Sequence, residues 1–351
     1  MDLQSANFWR GQLLRAAAAA CAPAIRIMEV CGTHTNAIAK NNLRALLPGN
    51  VQLISGPGCP ICVSGVLFIE KIRSLLRSNV TVAMFGDLLR IPGNQGSLLG
   101  EKNLQIVYSP EDALEYARKN PQQEVVFAAV GFAPTLSAAS ALIMDCVECG
   151  VKNFSLLSDF KELTPVLNTL CQQRQLHGLL LPGHVASVVG SNYFKGIPIP
   201  GVVAGFEPEN ILHSIKLLLQ AIGQQQTDFL VNDYPSAVRD AGNLAAMQLI
   251  NECFEISGSI WRGLGFVPGG GWKLRKKYAQ FDAEERYDLA GVQASENPAC
   301  RCGEVLTGLI SPRECPLFGK VCTPRNPAGA CMSSSEGSCA AEFNYTGGND
   351  L

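Results

Sequence analysis

The chain has 351 residues, a formal net charge of −2 and no block of like charges, which offers no grip to a phosphate backbone or an anionic bilayer. At 47% hydrophobic residues it reads as a folded chain of two to three domains of about 150 residues each. Fourteen cysteines are too dilute for a disulfide-stapled secreted scaffold, so their grouping in short motifs points to a reducing compartment, the cytoplasm, and to metal or thiol chemistry.

In chain order, residues 1–22 read as an amphipathic helix carrying Phe8, Leu13 and Leu14. An export signal is the poorer reading, because Asp2 stands where a basic start belongs and Arg10 and Arg15 precede the alanine run. Apolar, β-rich runs follow at 25–30, 51–54, 80–85, 105–108, 124–130, 153–157 and 178–181, separated by segments of helical length. This alternation predicts parallel βαβ units. Ser109-Pro110-Glu111-Asp112 sets an N-cap, a first-turn proline and two acids before a helix, and Gly205-Phe206-Glu207-Pro208 opens another. No apolar run reaches the roughly 18 residues that span a bilayer.

The expected fold class is α/β: two Rossmann-like parallel-sheet domains, 23–120 and 121–230, plus a small C-terminal domain, 231–351, packed with the N-terminal helix. Past residue 230 strands become scarce, Gly269-Gly270-Gly271 reads as a flexible turn and residues 273–277 as a solvated helix face. From Asn297 onward the chain is mostly turns between cysteines.

Three groups of residues carry chemistry. Cys31 follows the first strand and is succeeded by His34; Cys59 and Cys62 follow the second in Gly-Pro-Gly-Cys-Pro-Ile-Cys. Loops leaving the C-terminal ends of neighbouring parallel strands share a crevice, so three sulfurs and His34 can meet there, a soft donor set suited to iron, zinc or copper. A Cys-x-x-Cys at a strand-to-helix turn also suits a redox dithiol. The third group is Cys300, Cys302, Cys315, Cys322, Cys331 and Cys339. A cubane cluster takes four thiolates, so six suggest a cluster beside a thiol pair, and the gaps lack the knuckles of zinc sites. A lone loop cysteine or histidine is more often structural than functional. That bland reading is kept for Cys21, Cys146, Cys149, Cys171, Cys253, His177 and His213.

Several stretches resemble the HypD family of hydrogenase maturation factors. They are Met-Glu-Val-Cys-Gly-Thr-His-Thr at 28–35, Ser-Gly-Pro-Gly-Cys-Pro-Ile-Cys at 55–62, Gly-Asp-Leu-Leu-Arg-Ile-Pro-Gly at 86–93, Pro-Gly-His-Val at 182–185, Gly-Phe-Glu-Pro at 205–208 and Trp-Arg-Gly-Leu-Gly at 261–265. The cysteine segment adds Cys-Arg-Cys-Gly-Glu-Val-Leu at 300–306, Cys-Pro-Leu-Phe-Gly at 315–319, Gly-Ala-Cys-Met at 329–332 and Ser-Ser-Glu-Gly at 334–337.

The resemblance implies a scaffold with redox activity, rather than a conventional enzyme, for assembling the iron–dicyanide–carbonyl group of nickel–iron hydrogenases. Cys31 would hold that iron, a transient cargo, together with a HypC-type small chaperone, and a HypE-type partner would donate cyanide as a thiocyanate. Electrons would come from a 4Fe–4S cluster through thiols, with Cys59 and Cys62 the pair near the iron. The cysteine segment is also similar to ferredoxin–thioredoxin reductase, which implies Cys300, Cys315, Cys322 and Cys339 as cluster ligands and Cys302 with Cys331 as the exchanging pair. His34 would hydrogen-bond the site or pass a proton. Alone, the chain is expected to be a monomer. It departs from the family at Gly131-Phe132-Ala133-Pro134-Thr135, where an acidic residue is missing, and at Phe160-Lys161, where a histidine is usual. The competing expectations are a stand-alone iron–sulfur disulfide reductase and a non-redox zinc protein.

Overall fold

The computed structural model describes residues 2–345. It contains eleven strands: β1 (Ile25–Glu29), β2 (Val51–Ser55), β3 (Thr81–Phe85), β4 (Leu104–Val107), β5 (Val125–Gly131), β6 (Phe154–Lys161), β7 (Gly178–Pro182), β8 (Gly201–Ala204), β9 (Leu230–Asn232), β10 (Phe254–Trp261) and β11 (Gly265–Leu274). They form two sheets, ordered β2-β1-β7-β8-β9 and β10-β11-β6-β5-β3-β4. The first is wholly parallel, and the second is parallel except for an antiparallel hairpin, β10–β11, added along β6. The fold is α/β, and every residue of β5, β7 and β8 is buried, as strands covered on both faces must be. The capping box expected at Ser109 and Asp112 is formed.

The sheets do not divide the chain at residue 120. β1 pairs with β7 at Ile27↔Gly178, so the segments 23–55 and 178–232 build one sheet, and the segment between them builds the other together with the hairpin 254–274. Nor is 231–351 a separate unit, since β9 completes the first sheet and the hairpin extends the second.

Strands are not scarce past residue 230. β11 is the longest in the chain and contains Gly269, Gly270 and Gly271, together with Lys273 and Leu274. Its glycines hide it from a propensity reading but suit its packing. A Cβ on Gly271 would lie 2.6 Å from Ser259 Cβ and 3.0 Å from the Phe160 carbonyl oxygen, so the pairing with β6 needs a bare backbone there. Phe160 itself pairs across to Trp272 and meets the Phe254 ring edge-on at 5.6 Å.

Helix α1 (Leu3–Ala19) is capped by Asp2 and buries Leu13, Ala16 and Ala17 against the helix Pro208–Gly223, where Ile215, Leu218 and Leu219 belong to the same core. It therefore packs on the first sheet's outer layer, not with the cysteine segment as expected. Small residues on its inner stripe allow this close approach. No helix among the described residues is long and apolar enough to cross a membrane.

Residues 297–345 form short helices and turns. Arg26 Nη2 donates to the Gly308 oxygen (2.9 Å), Asn36 Nδ2 donates to the Ser335 oxygen (3.0 Å), and the helix Ser338–Tyr345 packs on α2 (Gly32–Lys40). The segment is thus fastened to the first sheet beside the loops that follow β1 and β2.

Candidate functional site

β1 and β2 run parallel in register from Ile25↔Val51 to Glu29↔Ser55, so their C-terminal ends open side by side. Cys31 is the N-cap of α2, and Cys59 is the N-cap of α3 (Pro60–Val63). The two loops touch. The Gly32 amide donates to the Gly58 oxygen (3.2 Å), and a Cβ on Gly58 would come within 2.4 Å of Cys31 Cα, which only glycine avoids. The expected meeting of the two cysteine loops is therefore built into the backbone.

Cys31 is buried, and its thiol is pushed up to about 11, first by burial and then by the Glu336 carboxylate, while the His34 and Thr33 amides pull the other way. The sulfur thus carries its proton near neutral pH, and a soft cation binding there would have to release it. His34 is fully buried. Its Nε2 donates to the Gly205 oxygen (3.0 Å), and burial lowers its pKa to about 4. The ring is neutral near neutral pH and its one N–H is engaged by the Gly205 oxygen, so the geometry favours the hydrogen-bonding half of the expectation. Its Nδ1 is buried with no hydrogen-bond partner.

Four further residues join this cleft, none of them singled out from the sequence. Glu336 Oε1 accepts from Thr33 Oγ1 (2.8 Å), and a Cβ on Gly32 would lie 2.6 Å from Glu336 Cβ, so the cysteine segment presses directly on the loop of Cys31. Asp87, after β3, is held above its ordinary range by burial and then by Glu336. His184, after β7, stacks on Phe206 at 4.0 Å and is lowered by burial, with Glu336 opposing. Phe206, after β8, lies 4.8 Å from the His34 ring. Each of these last three follows the C-terminal end of an apolar strand, the position where ligands gather in open α/β sheets. That was the signal available in the sequence.

Cys59 and Cys62 are joined as a disulfide. The Cys62 amide donates to Cys59 Sγ (3.1 Å), and Ser334 Oγ lies 3.4 Å from the same sulfur. Helix α3 packs against both the helix Cys302–Leu306 and the helix Ala330–Ser333, which bring Cys302 and Cys331 to its side. Arg262 ties these parts together. Its Nε and Nη2 donate to the Cys62 and Ser64 oxygens (2.9 and 2.7 Å), Nη1 pairs with Glu296, and the following Gly263 lies against Gly303.

All six C-terminal cysteines lie in one region, five of them buried and Cys300 half-buried. The thiols of Cys302 and Cys331 are hydrogen-bonded, which together with burial holds Cys302 well above its ordinary range. Cys331 also contacts Cys339, whose amide donates to Cys331 Sγ (3.2 Å). The Ala328 amide donates to Cys322 Sγ (3.3 Å), Cys300 responds to the charges of Cys302, Cys322 and Cys315, and a Cβ on Gly329 would lie 2.5 Å from Cys300 Sγ. Among the described residues no three His, Cys, Asp or Glu side chains are gathered closely enough to hold a single metal ion.

Of the departures, Ala133 belongs to the same core as Cys59, Cys62, Cys302 and Cys331, and Phe160 to another. Ala133 opens the buried helix Ala133–Glu148, and Phe160 fills the core of the second sheet. Cys146 is buried in the same core and Cys149 is exposed at that helix's end.

Residues 11–346 match the family described as HypD, hydrogenase formation hypA family. The chain is similar to the hydrogenase maturation factor HypD of Escherichia coli (strain K12), 42% identical over 333 residues, which is 92% of this chain and 89% of that protein. It is similar also to the HypD of Azotobacter vinelandii, 39% identical over 339 residues (91% and 89%), and of Rhizobium leguminosarum bv. viciae, 39% identical over 342 residues (91% and 87%). With the family matched over residues 11–346 and relatives about 40% identical over nearly the whole length, this chain belongs to the HypD family of hydrogenase maturation factors.

Proposed function

We propose that the chain holds the iron of the iron–dicyanide–carbonyl group on Cys31 during hydrogenase maturation, shared with a HypC-type chaperone, and supplies the electrons that release cyanide from the thiocyanate of a HypE-type partner. The observation that carries this reading is the convergence of Cys31, the Cys59–Cys62 disulfide and the cysteine segment on one set of strand ends. A single soft thiol at the mouth of a sheet leaves room for a second protein's thiolate on the same metal.

Cys300, Cys315, Cys322 and Cys339 would hold a 4Fe–4S cluster. The donor set fits, being sulfur throughout, with the glycine at 329 leaving room against Cys300. Bound there, the cluster supplies electrons at a low potential. The chain's own thiols do the rest. Cys302 and Cys331 pass a pair of electrons by exchange to Cys59–Cys62. The resulting Cys59/Cys62 dithiol is oxidised back to the disulfide as the partner's thiocyanate takes up two electrons and two protons, giving that partner's free thiol and hydrogen cyanide. Asp87, His184 and Glu336 surround the cargo with groups able to accept or donate hydrogen bonds.

Reduction of an outside protein's disulfide is the poorer reading. It would leave the meeting of Cys31 with the Cys59–Cys62 loop on the same strand ends without a use.

The test is thiocyanate cleavage. The reduced protein is mixed anaerobically with iron, the chaperone and the thiocyanate-bearing partner, and the partner's C-terminal thiol is followed by mass spectrometry. Wild-type protein is expected to free that thiol, and Cys59→Ser and Cys62→Ser to leave the thiocyanate intact. Cleavage at the wild-type rate in either variant contradicts the proposal.

A further inference from the structure

Ser334 closes the helix Ala330–Ser333 that carries Cys331, yet only its backbone takes part in the cap, donating to the Ala330 oxygen (2.9 Å). Its hydroxyl is spent elsewhere. Ser334 is 3% exposed, its Oγ accepts the Glu336 amide (3.2 Å), and the same oxygen lies 3.4 Å from Cys59 Sγ. Neither sulfur of the disulfide carries a hydrogen, so across this contact the hydroxyl is the donor. Glu336 N–H occupies a lone pair of the oxygen and leaves its hydrogen free to point at the sulfur.

Cys59 Sγ therefore receives two donors, the Cys62 amide at 3.1 Å and the Ser334 hydroxyl. No donor approaches Cys62 Sγ among the described residues. In thiol–disulfide exchange the sulfur that better bears negative charge is the better leaving group. Donors to a thiolate are stronger than donors to a neutral sulfur.

We propose that Ser334 is a catalytic residue of the disulfide's reduction. It stabilises Cys59 as the departing thiolate, so that Cys62 is the sulfur attacked. The inference rests on the proposed use of Cys59–Cys62 as a redox pair. In the first step a thiolate of the Cys302/Cys331 pair bonds to Cys62 Sγ while the Cys59–Cys62 bond breaks, and its electrons stay on Cys59. The other thiol of the pair then displaces Cys62 and forms the Cys302–Cys331 disulfide. That dithiol is oxidised and Cys59 and Cys62 are reduced; of the two protons it releases one ends on Cys62 and the other passes to solvent, Cys59 staying a thiolate held by the Ser334 hydroxyl and the Cys62 amide. Ser334 stands on the element that brings Cys331, so docking of this helix delivers attacker and donor together.

The test equilibrates the anaerobic full-length protein in dithiothreitol buffers of graded ratio, then alkylates it and counts reduced Cys59 and Cys62 by mass spectrometry. Ser334→Ala and Ser334→Val are expected to shift the equilibrium about tenfold toward the disulfide, about 30 mV for a two-electron couple. Ser334→Thr, which matches Val in size and keeps the hydroxyl, is expected to stay near wild type, as is Ser335→Ala at the neighbouring exposed position. Wild-type midpoints in the Ala and Val variants overturn the proposal, as does a Thr variant that shifts as far as Val. Failure of the relay itself shows differently. The Ser334 shifts would remain, but dithionite-reduced wild-type protein would leave Cys59–Cys62 oxidised.

Discussion

Two sulfur regions meet in this protein, and they are made in different ways. Cys31 and Cys59 sit on helix N-caps at the ends of adjacent parallel strands, where sheet register and a bare glycine backbone fix their approach. The six C-terminal cysteines sit on short helices and turns that share the sheets' core through Val305, Leu306, Phe318 and Met332 and are tied to them by a few polar contacts. The first region owes its shape to the fold and is formed before any metal arrives. The second has little core of its own, which is the situation in which metal binding and folding become one event.

The largest expected effect breaks the second region alone. Cys315→Ala should remove most iron and acid-labile sulfide and raise amide exchange across 297–345, with strands β5 and β7 still protected. Full protection of that segment without iron would erase the contrast.

Next comes acid. His34 has its pKa lowered from 6.5 to about 4 by burial, so between these values the unfolded chain binds a proton that the folded chain refuses. Stability should be complete above pH 6.5 and fall by about 3 kcal/mol toward pH 4, at 1.36 kcal/mol per unit. His34→Gln should abolish that part of the slope, measured by urea unfolding at each pH.

Gly58→Ala forces the two strand-end loops apart and should cost about 1–3 kcal/mol, the range of an overpacked site, with weakened iron binding and an unchanged sulfide content. The smallest effect is Cys149→Ser, exposed and remote, which should move stability by less than about 0.5 kcal/mol and leave both iron and sulfide untouched.

Much of the first region was legible in the sequence, because strand-end loops follow a local rule. The runs before Cys31 and Cys59 are apolar, short and bounded by glycine, and β1, β2 and their loops lie where that pattern put them. What stayed hidden was non-local or unusual in composition. Pairing β1 with β7 joins residues about 150 positions apart, and nothing in either strand names its partner. β11 carries Pro268 and four glycines, which argue against a strand unless a neighbour needs the close approach. Glu336 lies in a serine-rich turn with no local mark of function, and only the folded chain sets it beside Thr33.

The most direct measurement is an infrared spectrum of the anaerobic protein co-expressed with its HypC- and HypE-type partners, wild type beside Cys31→Ala. The account predicts cyanide and carbonyl stretching bands in the wild type, and their loss in Cys31→Ala while acid-labile sulfide is retained. Bands of undiminished strength in Cys31→Ala would contradict it, because the iron would then be held elsewhere.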